Sequence, residues 1–385
     1  MFEIEELREQ TAKIRVIGVG GAGGNAVNNM IAANLKGIDF IAINTDLQVL
    51  ETSLAPQKIQ IGADLTRGLG AGSNPDIGRQ AALHDYDAIA ERLQGSDMVF
   101  ITAGMGGGTG TGASSVVASI AKELGALTVA VITKPFFYEG KKRLMNAEDG
   151  IKELRQHVDT IIVIPNDRIS LVVDKGTPLL KSFTVANNVL RQAVQGISDL
   201  ILTPGLINLD FADVKTVIED SGRAVIGIGS GNGEAGAVEA AKKAISNPLL
   251  EDSSVEGARG ILVNITGGIE LALSAVQDAT GLIHDSAHED VNIIFGAVID
   301  SDMTDEVRIT VIATGFEPKK EKVVLEDVKT WRPKPSFQLK AKAEYTGAER
   351  VLSKTLKGVP SEPLPTELMS YDDPYDMPPY LRKHE

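Results

Sequence analysis

The feature that most constrains this chain is a repeated unit: a short β-branched run, a glycine-rich turn, then a helix-forming stretch. IRVIGV (14–19) runs into GVGGAGGNA (18–26), and MVFITA (98–103) runs into GMGGGTGTG (104–112). FIAIN (40–44), LTVAVIT (127–133) and TIIVIP (160–165) are runs of the same kind. Such uninterrupted apolar runs read as strands buried on both faces. With helix-like stretches at 75–93, 113–124 and 145–156 between them, they predict a parallel sheet covered by helices on both sides. The first of these helices has legible ends: Asn74 can cap, Pro75 takes the first helical position, and Gly95 follows the last turn.

Residues 179–202 run for 24 positions with one glycine, no proline and helical apolar spacing, which predicts one long helix. Beyond it the pattern changes. AVIGIG (224–229), GILVNIT (260–266), VNIIFGAVI (291–299) and VRITVIATGF (307–316), with two helices among them, predict a smaller α+β domain. The expected organisation is an extension (1–12), a nucleotide-binding domain (13–178), the central helix and the start of its loop (179–207), the α+β domain (208–316), a flexible linker (317–370) and a terminal peptide (371–385).

Charge and composition break at the same place. Residues 317–385 are nearly neutral at +1 and hold 9 of the 16 prolines, whereas residues 1–316 carry −15 and 37 of the 39 glycines. The linker therefore has a solvated composition. An acidic body argues against nucleic acid as a partner. The acidic start MFEIEELREQ does not read as a signal peptide, and no apolar run reaches the roughly 18 residues of a membrane span, so a cytoplasmic location without direct membrane insertion is expected. Cysteine is absent, which excludes disulfides and thiol chemistry. His284 and His288, near Asp285 and Glu289, read as a solvated loop, not a metal site.

In the first turn Gly18, Gly20 and Gly23 satisfy G-x-G-x-x-G at a helix start, where backbone N–H groups favour a phosphate. Taken alone, this suggests a dinucleotide site, with Asp39 or Asp46 as the ribose acid of an oxidoreductase. GMGGGTGTG goes further. It has six glycines in nine residues, each costing about 0.5–1 kcal/mol of backbone entropy, and the hydroxyls of Thr109 and Thr111 can hold phosphate oxygens or a metal-bound water. RGLGAGSNP (67–75) is a third such turn. Together they predict a polyphosphate at the carboxyl edge of the sheet. The one Gly-Lys pair, Gly140-Lys141, lacks the upstream glycine of a P-loop.

GGGTGTG (106–112), with GVGGAGGNA, NTD (44–46), RGLGAGSNP and NLDFADVK (208–215), closely resembles the signatures of the FtsZ family of bacterial tubulin-like cell-division GTPases, over about residues 12–316 and again in the last fifteen. The resemblance implies the two-domain tubulin/FtsZ architecture, GTP and GDP as ligands, and Mg²⁺ carried by phosphates and water without a protein cage. It assigns Gly21, Ala22, Gly23, Gly24 and Asn25 to one phosphate loop and Gly107, Gly108, Thr109, Gly110, Thr111 and Gly112 to another. Ala71, Gly72 and Ser73 fall near the γ-phosphate, Glu139 and Arg143 at the ribose, and Asn166, Phe183 and Asn187 around the guanine. Many relatives carry Asp at the position of Asn187, a stronger acceptor for guanine's donors.

The resemblance also implies that Asn208, Asp210 and Asp213 act on the GTP of the next subunit in a head-to-tail filament, so that hydrolysis needs assembly. In DPYDMPPYLRK, Asp373, Pro374, Tyr375, Pro378, Tyr380, Leu381 and Arg382 match the family's peptide for membrane-tethered division adaptors, which places the protein at a mid-cell ring. From the residues alone, other readings stand beside these. Asp210 is a helix cap, Asp213 a first-turn acid, Glu139 and Arg143 an i,i+4 ion pair, Phe183 a core residue and Asn166 a turn residue.

Overall fold

In a computed structural model, the described residues are 12–316 without 172, 174, 175, 204, 206, 208, 234, 249–254, 256, 288, 301 and 302. Asn208, His288, the linker and the terminal peptide with its seven assigned residues lie outside them.

The first half contains strands β1 (Ile14–Val19), β2 (Ile38–Asn44), β3 (Gln57–Gln60), β4 (Met98–Gly104), β5 (Leu127–Lys134) and β6 (Thr160–Pro165). Its helices are α1 (Gly20–Ala32), α2 (Leu47–Glu51), α3 (Ala63–Thr66), α4 (Pro75–His84), α5 (Tyr86–Leu93), α6 (Thr109–Glu123), α7 (Lys141–Leu154) and α8 (Asn166–Ile169). All six strands are parallel, in the order β3-β2-β1-β4-β5-β6. Alternation along each strand feeds two cores. On β4, Met98 and Phe100 pack on the α1 face, while Val99, Ile101 and Ala103 pack on the α4–α6 face.

Helix α9 (Leu179–Leu202) follows, then α10 (Phe211–Ile218), β7 (Gly222–Asn232), α11 (Gly236–Ile245), β8 (Gly260–Gly267), α12 (Leu273–Asp285), β9 (Asn292–Ile299) and β10 (Glu306–Thr314). The sheet continues through β7. Its first residues pair in parallel with β6 (Thr160 opposite Gly222), and the rest pairs antiparallel with β10, which leads on to β8 and β9. Helix α9 is amphipathic. Ala186, Val189, Leu190, Ala193, Val194, Ile197 and Leu200 form one stripe, buried in a core shared with α1, β4, β5, β7 and β8.

The predicted strands and the long helix stand where the sequence placed them, with three adjustments. The stretch 75–93 is two helices, because the Asp85 carboxylate turns away to accept the Gly62 N–H at 2.6 Å and the chain bends there. Helices α6 and α7 begin four residues earlier than the expected 113 and 145. Asn74 caps α4 by accepting from Asp76 N at 3.0 Å, and Pro75 takes the first turn, as expected.

Candidate nucleotide site

Strand order reverses direction between β1 and β4, and in such sheets ligands bind in the crevice outside the carboxyl ends at that switch point. Both glycine loops leave these two strands. Helices α1 and α6 open without a side-chain cap and without an acid in the first turn, so the N–H groups of their first turns are left for an anion.

Glycine geometry shows how the loops meet. A Cβ on Gly20 would lie 2.8 Å from Gly110 N, one on Gly108 would lie 2.8 Å from the Ala71 Cβ, and one on Gly78 would lie 2.5 Å from Gly108 O. The loops 18–24, 67–74 and 104–112 are thus pressed into one body. The loop 67–74 gets there through left-handed backbone at Arg67, Gly68, Gly70, Gly72 and Ser73.

This packing corrects the argument from glycine number. Of the six glycines in 104–112, five would drive a Cβ into protein atoms: Gly104 into the Ala22 Cβ, Gly106 into Arg143 O, Gly108 into the Ala71 Cβ, Gly110 into Gly104 O, and Gly112 into Pro75 O at 1.9 Å. Only Gly107 faces open space. The count therefore reflects close packing of backbone on backbone, and the groups that face outward are few. Across the three loops they include Gly21, Gly72 and Gly107, where a Cβ meets nothing within 4 Å; Gly24 is also unobstructed but lines a small internal space with Asn44, Val49 and Leu50. Gly21, Ala22, Asn25, Gly72 and Ser73 are exposed, while Gly23, Gly24 and Ala71 are buried.

Each threonine hydroxyl of this loop also has a partner inside the protein. Thr111 Oγ1 accepts from Gly106 N at 2.8 Å, and Thr109 Oγ1 lies 2.7 Å from Thr45 Oγ1, so both are engaged inside the protein. Thr111 and Gly112 line a groove of about 260 Å³ between α4, α6 and α7, together with Arg79 and Glu153, which pair at 3.4 Å.

Beside the loops, the segment after β5 forms a short 3-10 turn, Phe137–Glu139. Glu139 accepts from Phe136 N at 2.9 Å and holds Arg143 in an ion pair, so the i,i+4 reading of that pair is correct. Asp167, next to Asn166, accepts from Phe137 N at 3.0 Å and ties this turn to α8. Phe136 stacks on Tyr138 at 5.0 Å and meets Phe183 edge-on at 5.5 Å. Phe183 is not a core residue: it is 40% exposed, on the first turns of α9. Asn187 sits one turn further on, half-buried. The structure therefore gathers Glu139, Arg143, Asn166 and Phe183 at one end of the crevice, and Arg143 O faces Gly106 of the loop 104–112. Asn166 is buried, and among the described residues its Oδ1 has no hydrogen-bond partner, an unmet acceptor of the kind a ligand's donors satisfy.

The paired acids are elsewhere. Asp210 caps α10, its Oδ1 accepting from Asp213 N at 2.8 Å, and both acids are exposed. The cap reading is thus correct as local structure. Ile207 pins the preceding segment to β9 by an antiparallel bridge to Ala297. Helix α9 starts beside Phe136, at the carboxyl edge. It ends where Leu202 covers Gly37, just ahead of β2 at the amino edge. Its 24 residues span about 36 Å, and Leu209 meets Gly296 together with Leu200 of the last turns of α9, so the segment leading into Asp210 stays by the amino-edge end of that helix. Sequence reasoning gave no role to Thr45, although it lies within the NTD signature, or to Thr66 at the end of α3; both are buried hydroxyls beneath the loops.

Comparison with known proteins supplies the family. Residues 13–174 match the Tubulin/FtsZ family, GTPase domain, and residues 222–317 match the FtsZ family, C-terminal domain. An empty FtsZ dimer from M. jannaschii is 46% identical with a TM-score of 0.77, covering 81% of this chain and 90% of that one. A point variant of M. jannaschii FtsZ gives the same identity and TM-score, with 80% and 92% covered. A GTPγS-bound protofilament of CetZ2 from Haloferax volcanii agrees in fold at 21% identity, with a TM-score of 0.67 and coverage of 80% and 94%.

Proposed function

The chain belongs to the tubulin/FtsZ family and is a GTPase that binds GTP and GDP, and from this premise we propose that it hydrolyses GTP only as a head-to-tail polymer. Membership also retires the nicotinamide-oxidoreductase alternative. The observation that carries the proposal is the length of α9, which separates Asp210 and Asp213 from the glycine crevice of their own chain. A second copy stacked end to end removes that separation. Its acids then meet the terminal phosphate, and the same contact repeated along the axis is heterologous and propagates into a filament.

In this reading Gly21, Gly72 and Gly107 let phosphate oxygens approach backbone N–H groups, while Phe183, Asn166 and Asn187 hold the base and Glu139 and Arg143 the ribose. Asp210 and Asp213 of the neighbouring copy orient the attacking water. Phosphoryl transfer rests mainly on such positioning and on charge stabilisation. The three loops offer mostly backbone N–H and hydroxyl groups, so a Mg²⁺ ion would be held chiefly through the phosphates and water and would supply charge neutralisation. Exposed Leu47, Leu65 and Leu69 near the crevice, and Ile207 beside the acids, give both ends apolar surface for the contact.

The place of action we propose is the division ring, with residues 371–385 docking onto membrane-tethered adaptors. Removing those residues should leave polymerisation in solution intact and abolish adaptor capture. The experiment for the main claim is phosphate release per molecule across a protein dilution series, with pelleting of the same samples. Turnover should rise with concentration alongside the pelleted fraction. A constant rate per molecule down to full dilution would sink the shared site.

A further inference from the structure

The three glycine loops rest on a chain of buried threonines. Thr45, the residue after β2, is fully buried, and its Oγ1 lies 2.7 Å from Thr109 Oγ1 at the start of α6. Thr66 Oγ1 reaches Thr45 O at 3.2 Å and Gly62 O at 3.1 Å, which joins α3 and the start of its following loop to the same point. Gly20 covers the pair from the first loop: a Cβ on it would lie 3.5 Å from the Thr109 Cβ. Every loop of the crevice therefore touches this threonine group or the residue next to it.

A hydroxyl has one proton to donate and two lone pairs. If Thr109 donates to Thr45, it can offer an anion only lone pairs. If Thr45 donates to Thr109, the Thr109 proton remains for the anion. Phosphate oxygens at neutral pH accept, so the second arrangement is the one compatible with a bound polyphosphate. We propose that Thr45 is a positioning residue for the nucleotide: its hydroxyl donates to Thr109 Oγ1, turns the Thr109 proton toward the phosphates and locks the start of α6 to the end of β2. This rests on the reading that Thr109 belongs to the phosphate crevice, and it adds the residue that sets the direction of its hydroxyl.

The test is a double-mutant cycle on the full chain, reading GTP and GDP affinity and the melting temperature without nucleotide. Thr45→Val keeps the β-branched shape and removes the donor. It should weaken both nucleotides by roughly threefold to tenfold, the range of one net hydrogen bond. Thr45→Ser should restore parental affinity. Thr109→Val should also weaken binding, and the double variant should bind no worse than Thr109→Val alone, because Thr45 acts only through Thr109. Parental affinity in Thr45→Val, or losses that add in the double variant, would overturn the proposal. So would equal loss of affinity and melting temperature in both Thr45→Val and Thr45→Ser, which would make Thr45 a packing residue. If Thr109→Val itself binds as the parent does, the reading of the crevice fails, a result separate from failure at Thr45 alone. Should Thr45→Val not fold, Thr45→Ala carries the same cycle.

Discussion

Gly21 and Gly23 lie two residues apart in one loop, and the structure assigns them opposite consequences on substitution. At Gly21 an added Cβ meets nothing within 4 Å, the backbone is not left-handed, and the position is in the first turn of α1. Gly21→Ala should therefore leave the nucleotide-free protein at least as stable as the parent, with up to about 1 kcal/mol gained in helix propensity. On the proposed reading, the methyl group then stands where a phosphate oxygen would approach. GTP affinity should fall at least about tenfold, or 1.4 kcal/mol. At Gly23 the Cβ would lie 2.3 Å from Thr102 O and 2.9 Å from Gly18 C. Both are backbone atoms of the central strands, so α1 must lift from the sheet by roughly an ångström to restore an ordinary contact. Overpacking of that kind costs about 1–3 kcal/mol or more, and melting should drop by several degrees. The assay is paired: thermal melting without nucleotide, and GTP affinity by titration. A destabilised Gly21→Ala, or one that binds GTP as the parent does, would refute the division of these glycines into outward-facing and packing positions.

Other consequences can be checked directly. Asp210→Ala should retain GTP binding and filament formation but lose nearly all turnover; loss of the cap at α10 should cost about 1 kcal/mol in stability, visible as a small shift in melting. If that variant instead fails to bind nucleotide, the acid is structural. Asp199, on α9, faces Arg191 on the same helix, Arg308 of β10 and Asp300 beyond β9; burial pushes its carboxyl up to about 6 from an ordinary 3.8, against the hydrogen bond from Gln195 and the two guanidinium charges. Its folded value is raised, so the folded state holds the proton more tightly, and this contribution to stability is lost as pH climbs from about 4 through 6. Above that the ionised group costs about 3 kcal/mol. Asp199→Asn should be more stable than the parent at pH 7.5, with the gap closing near pH 4; parallel stability curves over that range would contradict this.

How much was legible depended on whether a segment's conformation is set locally. Residues 179–202 announced α9 because its buried stripe repeats at helical spacing through the whole element. The β-branched runs announced β1, β4, β5 and β6 because strands buried on both faces need no polar alternation. Strand β3 was missed because QKIQ is an edge strand with a single apolar residue. The break at Asp85 was invisible because its cause, the Gly62 N–H, comes from a loop 23 residues earlier. At the site, the loops were legible as loops, but the reason for their glycines was not. Sequence cannot distinguish a glycine that admits a phosphate from one that admits Pro75 O, as Gly112 does. Asp210 shows the remaining limit. A cap and a water-orienting acid need the same residue before the same helix, and what separates them is a second copy of the chain.

The central claim, that the acids of one subunit act on the nucleotide of the next, is tested most directly by mixing two inactive variants. Asp210→Ala keeps an intact crevice without the acid. Gly21→Val keeps the acid with a blocked crevice. Each alone should release phosphate at a negligible rate. Mixed at equal concentration with GTP, they should recover a substantial fraction of parental turnover, because a Gly21→Val subunit presents its acids to the GTP held by an Asp210→Ala neighbour. A mixture that co-pellets as filaments yet stays as inactive as its components would contradict the account.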